Sequence, residues 1–403
     1  MREKSEKIST EAYKGVRDFY PEDMAIQSYI FDVWKKTVES YGYQEYGASV
    51  LEPANLYKAK SGEEIVNEQT YTFIDRGERE VTLRPEMTPT VARMVAARKR
   101  ELVFPLRWYS IPNLFRYEAP QRGRVREHWQ LNVDMFGVES IEADTEVISL
   151  AYKIMKAFSA KDGDFTIRIN SRQALQKEIE ALLDDAASYP KAVRLIDKKE
   201  KISAEDFQKE WTKISSKPFN IDTIATPEKI ADLQGKLALL GIKNVVFYPF
   251  LMRGFDYYTD IVFEIFDTSP ENRRSLFGGG RYDKLTTLFS DDNVPAVGFC
   301  MGDVTIRDFL ETHGLLHEKK ASADYCVCVV SESGAAFAMK IADELREKNS
   351  RVAIDFSYKK IGDQIKNADR RGIPEVIVIG EDEVATGTYK IKNLKTGKEQ
   401  IIK

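Results

Sequence analysis

Residues 107–137, RWYSIPNLFRYEAPQRGRVREHWQLNVDMFG, constrain the fold more than any other stretch. Apolar and polar residues alternate on both sides of a short loop. The pattern predicts two strands joined by an arginine-rich turn. Arg116 and Glu118 are two apart, so on a strand they share a face, and so do Gln130 and Asp134 further on. Arg122, Arg124 and Arg126 crowd around Gly123. A hairpin that gathers cations, carboxylates and an amide on one side packs poorly. It suits a ligand carrying both phosphate and amine. Solvated charge on a surface hairpin is the competing reading of the same residues.

With 403 residues the chain is long enough for two or three domains and a large core. Its 43% hydrophobic and 31% charged residues place it among soluble globular proteins. A net charge of -4 excludes no nucleic-acid partner, because a local basic patch can serve an acidic chain. Three cysteines, Cys300, Cys326 and Cys328, cannot form a complete disulfide framework and read as thiols in a reducing compartment. Only His128, His313 and His317 could join them, so no metal site is expected. The opening MREKSEKISTEAYKG lacks the apolar core of a secretory signal, and no apolar run is long enough to span a bilayer. A cytoplasmic protein with no membrane partner is expected.

Other stretches supply candidate walls for the same ligand. Pro21 opens a long amphipathic helix, with Ile26, Ile30 and Val33 on one face and Gly42 as its stop. Residues 45–51, 69–74 and 80–83 read as strands. In TLRPEMT, Thr88 reads as the N-cap of a following helix, and Glu86 with Thr88 could hold an ammonium group. Residues 171–241 turn rich in Lys, Asp, Glu and Ala with helical periodicity, as an insertion would. In RGFDYYT, Arg253 stands at the mouth of an apolar strand, where burial is costly unless it meets an anion. FGGGRYDKL reads as a glycine-rich turn whose backbone lets a ligand approach closely. PAVGFCMGDVTIRDFL reads as a strand ending at Gly302, then a helix. Residues 318–322 read as a linker. After them strands and helices alternate regularly, as in a separate small α/β domain.

These motifs, in this order, resemble the class II aminoacyl-tRNA synthetases, and among them the histidyl-tRNA synthetase family. FRYEAPQRGRVREHWQ resembles the ATP-binding hairpin of the class, motif 2. RGFDYYT and GGRYD resemble the two peptides particular to the histidine enzymes. The resemblance covers nearly the whole chain. It implies an α+β catalytic domain over 1–320, an antiparallel sheet flanked by helices, with the insertion at about 171–241. It also implies an α/β anticodon-binding domain over 323–403. The implied activity is histidine–tRNA ligase, using ATP and Mg2+ to form histidyl-adenylate and then charging tRNA(His), as a homodimer. Arg116 and Arg253 would grip the α-phosphate from two sides. Glu118 would stand near the adenine or a magnesium ion, with Arg126 nearby. Glu86, Thr88 and Gln130 would take the α-amino group. Asp134 and Tyr258 would bond the imidazole, with Tyr257 and Tyr282 lining it. Gln121 and Arg122 would meet the acceptor end of the tRNA.

Four positions depart from the family pattern. Thr305 stands where motif 3 carries an arginine for the γ-phosphate, and Arg307 is turned away by about 200° on a helix. Arg122 or Arg124, or magnesium, would then hold the outer phosphates. Ser49 replaces the proline of the dimer-forming motif. Asp134 is one methylene shorter than the glutamate of many relatives. Ala119 replaces an arginine that helps read the extra 5′ guanosine of the tRNA, which implies a weaker dependence on that base. A non-catalytic histidine-binding paralogue that regulates histidine biosynthesis is the alternative. Such proteins lack the anticodon-binding domain.

Overall fold

The structure, a computed structural model, describes residues 8–58, 69–197, 199, 202–219, 225–251, 257–272, 275–316 and 321–402. Arg253, the next three residues of RGFDYYT and most of the expected linker lie outside them. The chain divides into two compact units, Met1–Leu316 and His317–Lys403.

In the first unit, β1 (Gln44–Glu45), β5 (Leu106–Ser110), β7 (Glu127–Phe136), β12 (Ala296–Gly302), β11 (Ser275–Arg281), β10 (Ile261–Asp267), β8 (Phe165–Ser171) and β9 (Val245–Phe247) follow one another across one sheet. A ninth strand, β6 (Asn113–Phe115), pairs with the start of β7. The centre is antiparallel, and the two outer pairs, β1 with β5 and β8 with β9, are parallel. A smaller sheet joins β2 (Leu51–Pro53), β4 (Glu80–Leu83) and β3 (Tyr71–Ile74). Of the strand expected over 45–51, only short pieces at either end pair.

Burial explains the layering. Along β7, Leu131, Val133 and Met135 point into the main core. There they meet the helices Pro21–Ser40, Ile141–Ala157 and Glu228–Leu239 through Trp34, Val38, Ile148 and Leu233. Phe136, one residue on, joins a second cluster with Val91 and Val95 of the helix Thr88–Arg98, and with Tyr257, Tyr258 and Tyr282. The period-two alternation thus gives the sheet a packed face and a second face that carries the aromatic groups. The helices Arg172–Leu182, Tyr189–Asp197 and Ala204–Trp211 close a core of their own around Phe207, Trp211 and Phe219.

Two local expectations are corrected. Met87, not Thr88, is the N-cap of the helix Thr88–Arg98. No side chain caps it, which leaves the Thr88 hydroxyl free of that duty. FGGGR is not a turn but part of β11, in the middle of the sheet. A side chain on Gly278 would run into the Phe263 carbonyl, and one on Gly279 into the Gly298 carbonyl. The glycines serve close approach, as expected, but of neighbouring strands.

The second unit orders its strands β14 (Val352–Asp355), β13 (Tyr325–Val329), β15 (Glu375–Ile379), β16 (Tyr389–Asn393) and β17 (Glu399–Ile402). The first three are parallel and the last two antiparallel. Val327 and Val329 pack under the helix Ala335–Glu347. Cys326 and Cys328 face the opposite side, with Ala368 of the helix Ile361–Arg370, as free thiols.

Arg281 and Asp144 form an ion pair in the first unit, with side chains only 2% and 1% exposed. The guanidinium also donates to the carbonyls of Val138 and Ser140, at 2.9 and 3.1 Å. Asp144→Ala would leave the buried cation only Asp283, at 3.2 Å, as an acidic partner among the described residues. It is expected to lower unfolding stability by about 3–5 kcal/mol in urea titration of the full chain, with a smaller loss for Asp144→Asn.

Candidate functional site

The register brings Trp108, Asp134, Gly298, Gly280, Val262 and Asn170 into one row across five neighbouring strand pairs. Paired residues share a face. A side chain on Gly298 would collide with the Asp134 carboxylate, and one on Gly280 with the Tyr258 ring. The two glycines therefore let the acid and the phenol lie close against the sheet. This use of glycine is not visible from a GGG run read alone.

Asp134 is 3% exposed. Tyr282 donates its hydroxyl to Oδ1. Oδ2 is buried and has no hydrogen-bond partner among the described residues. Burial pushes the carboxyl up to about 7, against a smaller lowering by the Tyr282 bond. Tyr282 packs edge-on against Phe136 at 6.1 Å and Tyr257 at 5.8 Å. Tyr257 and Tyr258 hold their rings 4.9 Å apart. Tyr257 donates to Glu86 Oε2 at 3.1 Å and bonds with the Thr88 side chain as well. One continuous wall thus runs from Glu86 through Tyr257 and Tyr282 to Asp134. Gln130, also buried, lies on the same face of β7, four residues before Asp134.

Arg116 and Glu118 lie just past the end of β6, not on it. The main chain stays tethered, because the Arg116 N–H donates to the Arg126 carbonyl at 2.9 Å. Arg116 Nε donates to the Pro85 carbonyl at 2.9 Å, next to Glu86. Its two terminal amino groups make no hydrogen bond among the described residues, so they are available to an anion. The neighbouring His128 cannot share that task. Burial first, then the charges of Arg116 and Arg17, lower it to about 3 and keep its ring neutral.

Arg126 is 7% exposed and braced on every side. It stacks 3.9 Å from the Tyr117 ring, and it donates to the Tyr13 hydroxyl at 3.1 Å and the Glu118 carbonyl at 3.2 Å. Gly15, at φ +87°, gives its stem room. The loop tip closes between Gln121 and Arg124, with Gly123 in the left-handed region at φ +77°. Arg122 pairs with Asp308 at 2.8 Å, and Arg124 with Glu118 at 3.4 Å. Thr305 donates to the Leu276 carbonyl at 2.8 Å, tying its helix to β11. Arg307 is held by Asp23 and Glu311 at 3.0 and 2.9 Å. Among the described residues no group of three or more His, Cys, Asp or Glu side chains could hold a metal ion. Glu118, whose side chain is 14% exposed, is a single carboxylate beside the arginines, which fits a magnesium ion bound mainly through phosphates.

Sequence reasoning missed Asp303. Its carboxylate is buried and accepts from Arg17 at 2.7 Å, Gln27 at 3.1 Å and the Trp129 N–H at 3.0 Å. It ties the segment before the first helix, that helix and the start of β7 to one point. An acid at the first turn of a helix is ordinary in sequence, so nothing local marks the clamp.

Residues 15–304 match the family model for histidyl-tRNA synthetase, and residues 324–403 that for an anticodon binding domain. A histidine–tRNA ligase of Leptospira biflexa is 44% identical over 97% of this chain and 94% of its own length. One from Thermoplasma volcanium is 37% identical over 98% and 96%. The crystal structure of histidyl-tRNA synthetase from Nostoc sp. PCC 7120 superposes with a TM-score of 0.81, covering 98% of this chain and 97% of that one. At 22% identity that likeness shows the fold.

Asp134 has a pKa raised above its unfolded value, so the native state binds its proton more tightly. Its contribution to stability is then fully present below about pH 4 and is lost as pH rises through about 7. Asp134→Asn removes this dependence. It is expected to be more stable than the parent at pH 8, by of the order of 2–4 kcal/mol, and not at pH 4, as read from unfolding at both pH values.

Proposed function

The chain belongs to the histidyl-tRNA synthetase family, and we infer from this how its residues divide the work of a histidine–tRNA ligase. The enzyme activates histidine with ATP to histidyl-adenylate, releasing pyrophosphate, and transfers the histidyl group to the 3′ end of its tRNA.

In our reading the substrate lies along the wall from Glu86 to Asp134. Asp134 Oδ2 accepts an imidazole N–H, Tyr258 bonds the other ring nitrogen, and Tyr257 and Tyr282 line the ring. Glu86, Thr88 and Gln130 take the α-ammonium, where a buried carboxylate offsets its charge. The carboxylate then points toward Arg116. Its oxygen attacks the α-phosphorus while the bond to pyrophosphate breaks on the opposite side. Two anions meet in this step, so cations that bind both reduce the barrier. Arg116 fills that role with its free terminal amino groups, and Arg253 takes the other side. The single observation that supports the reading is the wall itself, with an incompletely bonded guanidinium at one end and a buried carboxylate oxygen without a partner among the described residues at the other.

ATP would be held by Arg116 and by the hairpin that Arg126 braces. Glu118 would bind magnesium, which neutralises phosphate charge, or the adenine. Thr305 offers no cation, which leaves the outer phosphates to Arg122 or Arg124. Both are engaged with carboxylates and would have to exchange partners. Gln121 and Arg122, exposed at the tip, would meet the tRNA end. We also propose a homodimer. Leu51, Phe73 and Ile74 are 46%, 46% and 64% exposed on the small sheet, more apolar surface than a free edge favours. A cytoplasmic location fits the three free thiols. Among the described residues no helix is long and apolar enough to cross a membrane.

ATP–pyrophosphate exchange tests the main assignment. Exchange is expected with histidine alone, and Arg116→Ala should lower its kcat at least 100-fold. Exchange with no amino acid would favour the non-catalytic paralogue. A second test addresses the departure at Thr305. Arg122→Ala and Arg124→Ala are each compared with the parent, and a several-fold rise in the KM for ATP identifies the replacement. An unchanged ATP dependence removes that arginine from the candidates.

A further inference from the structure

The helical insertion has a core of its own around Phe207, Trp211 and Phe219, apart from the main core under the sheet. It leaves the sheet at Ser171, the last residue of β8, and returns to the main core at Lys229, in the first turn of the helix Glu228–Leu239. Asp260 takes hold of both points. The Ser171 hydroxyl donates to its Oδ1 at 2.6 Å, and the Lys229 ammonium donates to its Oδ2. The Arg172 N–H donates to the Asp260 carbonyl at 3.0 Å, which carries the pairing of β8 with β10 one step past Ser171 and Ile261. Asp260 is 3% exposed. Beside it lies a cavity of about 370 Å³, lined by Asn170, Gln173, Lys177 and Lys229 among others. Apolar packing does not fill this junction, and the carboxylate bridges it.

The same residue stands next to the wall of tyrosines. Tyr258 is two residues before it, with its ring against Gly280. Thr259, between them, donates its N–H to the Arg281 carbonyl at 2.7 Å, and its hydroxyl accepts from the Asp283 N–H at 3.2 Å. Those two partners flank Tyr282, so the junction adjoins both peptides that carry the tyrosines. Burial raises the Asp144 carboxyl, Arg281 lowers it, and the charges of Lys229 and Asp260 act on it as well. The two buried ion pairs are thus within electrostatic reach of each other.

We propose that Asp260 is a positioning residue that couples the insertion to histidine binding: it holds Tyr258 and both ends of the insertion to one point, so that neither moves without the other. This rests on the assignment of Tyr258 to the imidazole. Ser171 caps its helix without help from Asp260, since its hydroxyl accepts from the Ala174 N–H at 3.2 Å. The helix of Lys229 is anchored independently too, by Ile230, Leu233 and Leu237 in the main core. A buried ion pair adds little net stability, and its use lies in specifying one arrangement. Here that arrangement joins the two ends of the insertion to the start of β10.

The test is ATP–pyrophosphate exchange with the full chain carrying Ser171→Ala, Lys229→Met, Lys229→Arg or Tyr258→Phe, together with amide hydrogen exchange of the helix Arg172–Leu182 with and without histidine. Histidine should slow amide exchange across that helix in the parent, and not in Ser171→Ala or Lys229→Met. Both variants should raise the KM for histidine roughly three- to tenfold, with kcat and the KM for ATP within about twofold. Lys229→Arg, which keeps the charge, should behave like the parent. An unchanged histidine KM in Ser171→Ala and Lys229→Met, beside a large rise in Tyr258→Phe, would overturn the proposal and leave the Tyr258 assignment standing. Equal rises for histidine and ATP would show a general loss of structure and overturn it too, as would a helix in the parent that does not respond to histidine. If Tyr258→Phe leaves the histidine KM unchanged, the underlying assignment fails and the proposal with it.

Discussion

One carboxylate, half used, organises the site. Asp134 stands in the middle of a nine-stranded sheet, gives one oxygen to Tyr282 and keeps the other without a partner. Burying an ionisable group in this way raises its pKa and costs stability. The surrounding residues accept that cost by their choice of side chain. Gly298 lets the carboxylate lie close against β12, Gly280 does the same for Tyr258, and Tyr282, Tyr257 and Phe136 pack beside them. Together they leave one buried carboxylate oxygen without a partner among the described residues, next to a cluster of phenols.

The phosphate end follows a different logic. There the fold fixes an arginine by one nitrogen, and the rest of the guanidinium makes no hydrogen bond among the described residues. The arginines around it are committed elsewhere: Arg126 stacks and braces, Arg124 and Arg122 pair with acids, and Arg307 is anchored to the first helix. A cation held in place but incompletely bonded is pre-organised for an incoming anion, whereas a paired one must first give up its partner. Asp303 sets the frame in which this happens. It joins the first helix, the segment before it and the start of β7 at the point where β7 parts from β12.

Much of this was legible in the sequence. The alternation in β7 placed Gln130 and Asp134 on one face, and the spacing of the α/β alternation after residue 323 gave the order of the second unit. The separated motifs identified the family. What was not legible depended on strand register. Whether GGG is a turn or a mid-sheet strand is decided by what lies beside it, and the neighbours of Gly279 are residues 298 and 299, far along the chain. Asp303 looks like an ordinary first-turn acid until Arg17 and Trp129 are brought to it. Thr88 was expected to be a cap, but Met87 takes that position and the Thr88 side chain bonds Tyr257 instead.

The account stands or falls on what meets the second oxygen of Asp134. An experimental structure of the full chain with histidine bound measures it directly. A ring nitrogen of the ligand at hydrogen-bond distance from Asp134 Oδ2, about 2.7–3.2 Å, with the α-ammonium at Glu86, is the predicted result. An imidazole turned away from Asp134, or the ammonium bound there in its place, would contradict it.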